Sequence, residues 1–430
     1  MLQASSHLLF LLSYHDITST MDPSRYQPST LAVHGDDPLN DSTDVAPAMH
    51  VSTTYRYPED PEKLVPFSMD DVMAGRDPLK PGSGADPLIY SREAAPNTSR
   101  LETILSHLLK GPALTYSSGL AAFHAMLVAL NPKVVAIGDG YHGCHGVLKI
   151  FQKLTHCKIV DVHNPDTWED LGEGDVVHLE TPLNPTGEAY EIEKYAKWAH
   201  ERGAVLTIDA TFAPPPLQNP FDFGADYVMH SGTKYFGGHS DMLCGVVAIN
   251  PARPNATKEY WGMWDERVCL GGVMGSLEGW LGVRSMRTFE LRITRQSETT
   301  TALVQWLATL QAGEGPKEDV AVVQKAVARV QHASLQKDDM HWLAKQMPGG
   351  YNPVFAIWMS SEKFARCLPS KLHLFHHATS LGGVESLIEW RRMSDDKIDP
   401  RVLRVSIGVE NVEDLKRDLL EAFKAVLSDA

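Results

Sequence analysis

The stretch Ile208–Asp241, IDATFAPPPLQNPFDFGADYVMHSGTKYFGGHSD, decides how this chain is read. It opens inside one short apolar run, AVLTIDA (Ala204 to Ala210), and contains a second, DYVMHS (Asp226 to Ser231). Continuous apolar runs of this length, bounded by turn-formers, read as strands buried on both faces. Each run ends on polar chemistry. Asp209 sits at the end of the first, and the second passes directly into GTKYFGGHSD (Gly232 to Asp241), which places Lys234 among Ser231, Thr233 and two glycines. Ligands of α/β sheets bind outside the carboxyl ends of strands, so these residues are the ones to watch. A lysine held there can form a Schiff base, and the neighbouring hydroxyls can hold phosphate oxygens.

Outward from that stretch the same pattern repeats. VVAIGD (Val134 to Asp139), KIVDV (Lys158 to Val162) and DVVHLE (Asp175 to Glu180) read as further strands, and IEKYAKWAHERG (Ile192 to Gly203) as an intervening helix. Strands alternating with helices predict a mostly parallel sheet covered on both faces. Upstream, SRLETILSHLLK (Ser99 to Lys110) has helical spacing, and LTYSSGLAAFHAMLVAL (Leu114 to Leu130) runs from a turn into a helix. HVSTTYRY (His50 to Tyr57) reads as β-like within a Pro-, Asp- and Ser-rich arm. Downstream, Gly275 to Leu310 reads as one long helical pattern. Strands around NPVFAIWM (Asn352 to Met359) and VLRVSIGVE (Val402 to Glu410) and a closing helix, VEDLKRDLLEAFKAVL (Val412 to Leu427), follow. The expected division is a disordered tail over 1–28, an arm over 29–85, a cofactor domain over 86–300 and a smaller C-terminal α/β domain over 301–430.

Asp209 lies 25 residues before Lys234, on what should be a neighbouring strand. Pyridoxal 5'-phosphate (PLP) requires such a pair: a lysine for its aldehyde carbon and a carboxylate for its pyridine nitrogen. YSSGLAAFHAM (Tyr116 to Met126) adds a Ser-Gly pair opening a helix, where free N–H groups and the helix dipole suit a dianionic phosphate.

With those residues in view, Ile208–Asp241 resembles the signature of the Cys/Met-metabolism PLP enzymes, the trans-sulfuration family of cystathionine γ-synthases, cystathionine and methionine lyases and homoserine-ester sulfhydrylases. TLAVHG (Thr30 to Gly35), VSTTY (Val51 to Tyr55), YSR (Tyr90 to Arg92), SSGLAA, GYHG, ETPLNP, SLGGVESL (Ser380 to Leu387) and LRVSIGVE (Leu403 to Glu410) occur in the family's order, over roughly residues 29 to 425. The resemblance implies a PLP-dependent transferase of fold type I, with a large, mostly parallel seven-stranded sheet domain and a smaller C-terminal α/β domain. It implies that Lys234 bonds the cofactor and shuttles protons, that Asp209 pairs with the pyridine nitrogen beside Thr211, and that Ser118, Gly119, Leu120, Ser231 and Thr233 hold the phosphate. Tyr141 would stack on the ring and assist acid/base steps. Tyr90 and Arg92 would reach the phosphate of a neighbouring subunit in a homotetramer built as a dimer of dimers. Arg404, Ser380, Thr379 and Asn184 would bind the amino-acid substrate. The implied activity is γ-replacement on an O-acylated homoserine-type amino acid. γ- or β-elimination is the alternative, and a catalytically quiet PLP-binding regulatory protein is the reading from another class.

Four positions depart from the family's pattern. A glutamate usual before SLGG is Thr379, and the Pro and Met-Thr-His segment usual after ESL is IEWRRMSDD (Ile388 to Asp396), which is expected to bring Arg391 and Arg392 towards the substrate entrance and favour an acidic co-substrate. Asn-Pro-Thr after YSR is Ala95-Pro96-Asn97, and Asp-Asn-Thr is Asp209-Ala210-Thr211. Arg404 in a β run could instead pair structurally with Glu385 or Glu410. His142, Cys144 and His145 imitate a metal cluster, but no second cluster of matching spacing accompanies them, and no metal is expected.

Composition narrows the rest. With 43% hydrophobic and 22% charged residues among 430, the chain can bury a substantial core and is not a disordered protein. A formal charge of −15 argues against nucleic acid or anionic membrane as partner. Five scattered cysteines suit reduced thiols in a cytoplasmic setting. LLFLL (Leu8 to Leu12) is too short to span a bilayer and lacks a preceding basic residue.

Overall fold

A computed structural model describes residues 23–40, 43–64, 66, 68, 70 and 88–429. Most of the expected tail and the later part of the expected arm lie outside the described residues. The larger sheet has seven strands: β1 (Ala113–Tyr116), β2 (Val134–Ile137), β3 (Lys158–Asp161), β4 (Val176–Glu180), β5 (Val205–Asp209), β6 (Tyr227–Ser231) and β7 (Gly245–Ile249). They lie in the order β1-β7-β6-β5-β4-β2-β3. β3, β2, β4, β5 and β6 run parallel, and β7 is antiparallel to both β6 and β1. All residues of β1, β2, β5 and β7 are buried, as expected of strands covered by helices on both faces.

Register places the chemistry. Glu180 is paired with Asp209 and Asp209 with Met229 across β4, β5 and β6, while Ser231 and Tyr116 both sit opposite Gly245. The ends of four strands therefore meet at one rim. Gly245 is required there, because a Cβ on it would lie 2.0 Å from the carbonyl oxygen of Ser118. Its absence lets the start of the helix Gly119–Leu130 settle over the sheet edge.

The second sheet has five strands, β8 (Val327–Gln331), β9 (Val354–Met359), β10 (His376–His377), β11 (Leu387–Trp390) and β12 (Val402–Ser406), in the order β10-β11-β12-β9-β8. The helix Val412–Ser428 packs on it through Leu415, Leu419, Phe423 and Val426. A 23-residue helix, Phe289–Gln311, connects the two sheets and carries buried residues along most of its length. Arg292 on it donates to the carbonyl of Tyr235 (2.9 Å), and Gln296 donates to the carbonyls of Gly383 (2.7 Å) and Ile407 (3.1 Å). One helix thus ties the lysine turn of the larger sheet to the SLGG loop of the smaller one.

Some expected elements differ. HVSTTYRY forms no strand: among the described residues, extended chain there makes a single bridge, Thr54 to Tyr90. The segment is anchored instead by Asn97, whose side chain accepts from His50 N and donates to the Ala48 carbonyl, both at 2.8 Å. The single helix expected over Gly275 to Leu310 is two, Ser276–Met286 and Phe289–Gln311, interrupted at Arg287 and Thr288. LTY, read as a turn, belongs to β1, and β7, β8, β10 and β11 were not anticipated. No helix among the described residues is long and apolar enough to cross a membrane.

Candidate active site

A cavity of about 350 Å³ opens where the strand ends of the larger sheet face the loop before β11. Ser118, Gly119 and Leu120 line one side, and Asp209, Thr211, Ser231, Thr233 and Lys234 the floor. Tyr141 and Asn184 stand on the wall, and Thr379, Ser380 and Arg404 come from the smaller sheet domain. Residues scattered over nearly 300 positions are therefore brought together. Tyr90 and Arg92 are not among those lining it. Both are exposed, with the Arg92 guanidinium 5.2 Å from the Tyr90 ring and donating to the Val268 carbonyl at 2.9 Å.

At the Ser118 end, the Ser118 hydroxyl caps the helix Gly119–Leu130 by accepting from Ala121 N (3.1 Å). The earlier N–H groups of a first helical turn lack intrahelical partners, and together with the helix dipole they favour an anion at this point. Gly119 packs so closely on Ser231 that an added Cβ would lie 3.0 Å from the Ser231 Cβ. At the sheet rim, Asp209 is buried and accepts from Thr211 N (3.0 Å) and Thr211 Oγ1 (2.5 Å). The same threonine oxygen accepts from Ser231 N (2.8 Å), which locks the ends of β5 and β6 together. Burial pushes the Asp209 carboxyl above its ordinary range. Glu180 beside it is pushed to about 8 by burial and by the Asp209 charge. Its two oxygens accept from Tyr141 N (2.7 Å) and Asn184 N (2.8 Å), so one carboxyl holds both wall residues in place.

Lys234 Nζ donates to Ser380 Oγ at 2.8 Å, a direct link between the two halves of the site. Burial, with Arg404 nearby, lowers the amine to about 8, within reach of the neutral form a nucleophilic lysine needs. Ser380 has a positive φ of 82°, and Gly382 a φ of 84°. A Cβ on Gly382 would lie 2.8 Å from the Lys234 carbonyl carbon and 2.9 Å from Tyr235 N, so only glycine lets the loop press against the lysine turn.

Arg404 reaches the site from the middle of β12. It donates to the Ser380 carbonyl (2.8 Å) and to Asn184 Oδ1 (3.2 Å), and it is ion-paired to Glu389 at 2.6 Å. Glu389 is its cross-strand neighbour in register. The alternative partners suggested by sequence are occupied elsewhere: Glu410 accepts from Ser386, and Glu385 from Ser240. Of the two arginines expected at the entrance, Arg391 lines the cavity, buried and paired with the same Glu389 oxygen at 2.8 Å. Arg392 does not: it is exposed and donates to the Asp396 carbonyl. The short helical turn Arg391–Met393 sends consecutive side chains in different directions. Glu180 and Glu389 are the carboxylates to which sequence reasoning assigned no role in the site. No group of three or more His, Cys, Asp or Glu suited to a metal exists among the described residues.

The donor set fits PLP. Among the described residues no cation is paired with Asp209, which leaves it for a protonated pyridine nitrogen; Lys234 is a lowered amine facing the same cavity, and the helix start with Ser231 and Thr233 suits a phosphate.

The comparisons agree with that fit. Residues 29–424 match the family model of the Cys/Met metabolism PLP-dependent enzymes. The cystathionine β-lyase of Lactococcus lactis subsp. cremoris (strain MG1363) is 30% identical over 355 residues, spanning 78% of this chain and 88% of the relative. The cystathionine γ-lyase of Bacillus subtilis (strain 168) is 30% identical over 360 residues, 78% of this chain and 89% of that protein. Among solved structures, apo CalE6, a methionine γ-lyase from Micromonospora echinospora, superposes with a TM-score of 0.76 at 30% identity, covering 93% of this chain and all of that one. The chain is a member of the Cys/Met metabolism family of PLP-dependent enzymes, with the fold-type-I architecture of that family.

Proposed function

We propose that the chain catalyses γ-replacement on an O-acylated homoserine-type amino acid. The observation that carries the reading is the position of Lys234, whose amine bonds Ser380 and shares one cavity with Asp209, a carboxylate suited to a pyridine nitrogen, and Arg404, a guanidinium suited to an α-carboxylate. When bound, PLP supplies an electron sink that acidifies the Cα proton of the amino acid. Lys234 takes that proton and returns protons along the substrate, and Ser380 holds its amine in line. Asp209, fixed by Thr211, would keep the pyridine nitrogen protonated. Ser118, Gly119, Leu120, Ser231 and Thr233 would hold the phosphate, and Tyr141, on the cavity wall, would assist proton movement at the leaving group. Asn184, Ser380, Thr379 and Arg404 bind the substrate's carboxylate and backbone atoms. Tyr90 and Arg92, exposed and outside the cavity, act on the phosphate of a partner subunit in a homotetramer assembled from dimers.

Elimination is the second reading, favoured by the lyase names of the relatives. O-acetylhomoserine supplied without a nucleophile separates the two. Rapid release of 2-oxobutanoate would establish a lyase, whereas a product that forms only when a nucleophile is added supports replacement. Mixing inactive Lys234→Ala with inactive Arg92→Ala tests the assembly: recovery of part of the activity is expected, and no recovery despite formation of mixed oligomers would refute a shared site.

A further inference from the structure

Two guanidiniums that line the cavity, Arg391 and Arg404, meet one carboxylate, Glu389. Both bond the same atom, Glu389 Oε2, at 2.8 Å and 2.6 Å. The other oxygen, Oε1, accepts from Ser394 Oγ at 2.8 Å. One Glu389 oxygen is thus shared between the two arginines, and the other is engaged by Ser394. Arg404 completes its bonding through Ser380 and Asn184. Arg391 does not: it is only 4% exposed, and its Nε is buried without a hydrogen-bond partner. A buried, incompletely bonded guanidinium is costly unless an acceptor reaches it, and Arg391 borders the cavity, from which an acceptor can come. Charge agrees. Two guanidiniums face the single charge of Glu389, and once Lys234 has taken up the Cα proton an amino-acid α-carboxylate on Arg404 still leaves one positive charge over.

We propose that Arg391 is a specificity-determining residue that binds a second carboxylate, carried by the acyl leaving group or by the nucleophile that adds at Cγ. The inference rests on the γ-chemistry reading for its substrates but not for the binding itself. A guanidinium suits this role because its planar fork matches a carboxylate. Arg392 has no part in it, being on the surface.

The test is calorimetric titration of the holoenzyme with succinate and with butyrate, which differ by one carboxylate. Wild type should bind succinate more tightly. Arg391→Met, which retains much of the apolar volume, should reduce the succinate preference by about 10- to 100-fold, the value of one hydrogen-bonded charge contact. Arg391→Lys should recover part of the preference, and Arg392→Gln should keep all of it. A preference equal in wild type and Arg391→Met would overturn the proposal, as would equal weakening of both ligands, which would mark Arg391 as a structural partner of Glu389. Kinetic arms then locate the carboxylate: O-succinyl- against O-acetylhomoserine for the donor, and 3-mercaptopropionate against 2-mercaptoethanol for the nucleophile. Loss of discrimination in one arm of Arg391→Met assigns the source. An Arg391-dependent succinate preference in an enzyme that turns over none of these donors would refute the γ-chemistry reading and leave this inference standing. Turnover with no Arg391-dependent preference would refute the inference alone.

Discussion

Glu389→Gln tests the electrostatic design of the site more severely than any change at the lysine. Glu389 is 3% exposed and stands opposite Arg404 across β11 and β12, with Arg391 on the same oxygen. Burial alone would push its carboxyl up, but Arg404 and Arg391 together hold it below the usual carboxylate range. The amide keeps the shape and removes the charge, leaving two buried guanidiniums facing each other. Breaking a buried ion pair from one side costs about 3–5 kcal/mol. Unfolding entropy of about 2.1 cal/mol/K per residue, applied to 430 residues, gives roughly 0.9 kcal/mol/K, so the expected drop in Tm is about 3–6 °C. Scanning calorimetry of the apoenzyme at fixed protein concentration reads it. Arg391→Met added to Glu389→Gln should recover part of the loss, since one of the two opposed charges is gone. The sign with pH follows from the lowered carboxyl: its stabilisation is full above the ordinary carboxylate range and is lost as pH falls through its folded value. The gap between wild type and variant should therefore close only in acid. A drop below about 1 °C at neutral pH, with no recovery in the double variant, would show that Glu389 does not hold the two guanidiniums apart.

Three further outcomes follow from the same geometry. Asp209→Asn should weaken PLP retention about 10- to 100-fold by equilibrium dialysis, because a charge-assisted bond to the pyridine nitrogen is lost; unchanged retention would remove Asp209 from that role. Only the neutral Lys234 amine can attack an aldehyde, so the rate of PLP uptake by the apoenzyme should rise with pH to a plateau with its midpoint near 8 rather than near 10.5; stopped-flow absorbance measures it. Gly382→Ala should displace the SLGG loop from the lysine turn, costing about 1–2 kcal/mol for the left-handed backbone alone, and should lower kcat/KM more than tenfold. A kcat/KM within twofold of wild type would show that the close approach is dispensable.

The larger sheet was legible because its central strands are buried on both faces and so appear as uninterrupted apolar runs. Asp209 and Lys234 could be located from the polar residues that end those runs. β7 shows the opposite case: GVVAI is equally apolar, but it follows the lysine motif directly and carries no chemistry that draws attention. β11 is short and is followed at once by two arginines, so it resembles a loop until β12 pairs with it. Glu389 was hidden for the same reason, since its meaning comes from cross-strand register with Arg404, 15 positions away. The arginine pair was half legible: the sequence places Arg391 and Arg392 together, and only the turn after β11 separates a buried cavity residue from a surface one.

Borohydride reduction of the resting holoenzyme, followed by proteolysis and mass mapping, tests whether Lys234 carries the cofactor. A pyridoxyl adduct is expected on the peptide carrying Lys234, with no visible absorbance from bound cofactor in Lys234→Ala. An adduct on another lysine, or retention of the absorbance in Lys234→Ala, would contradict it.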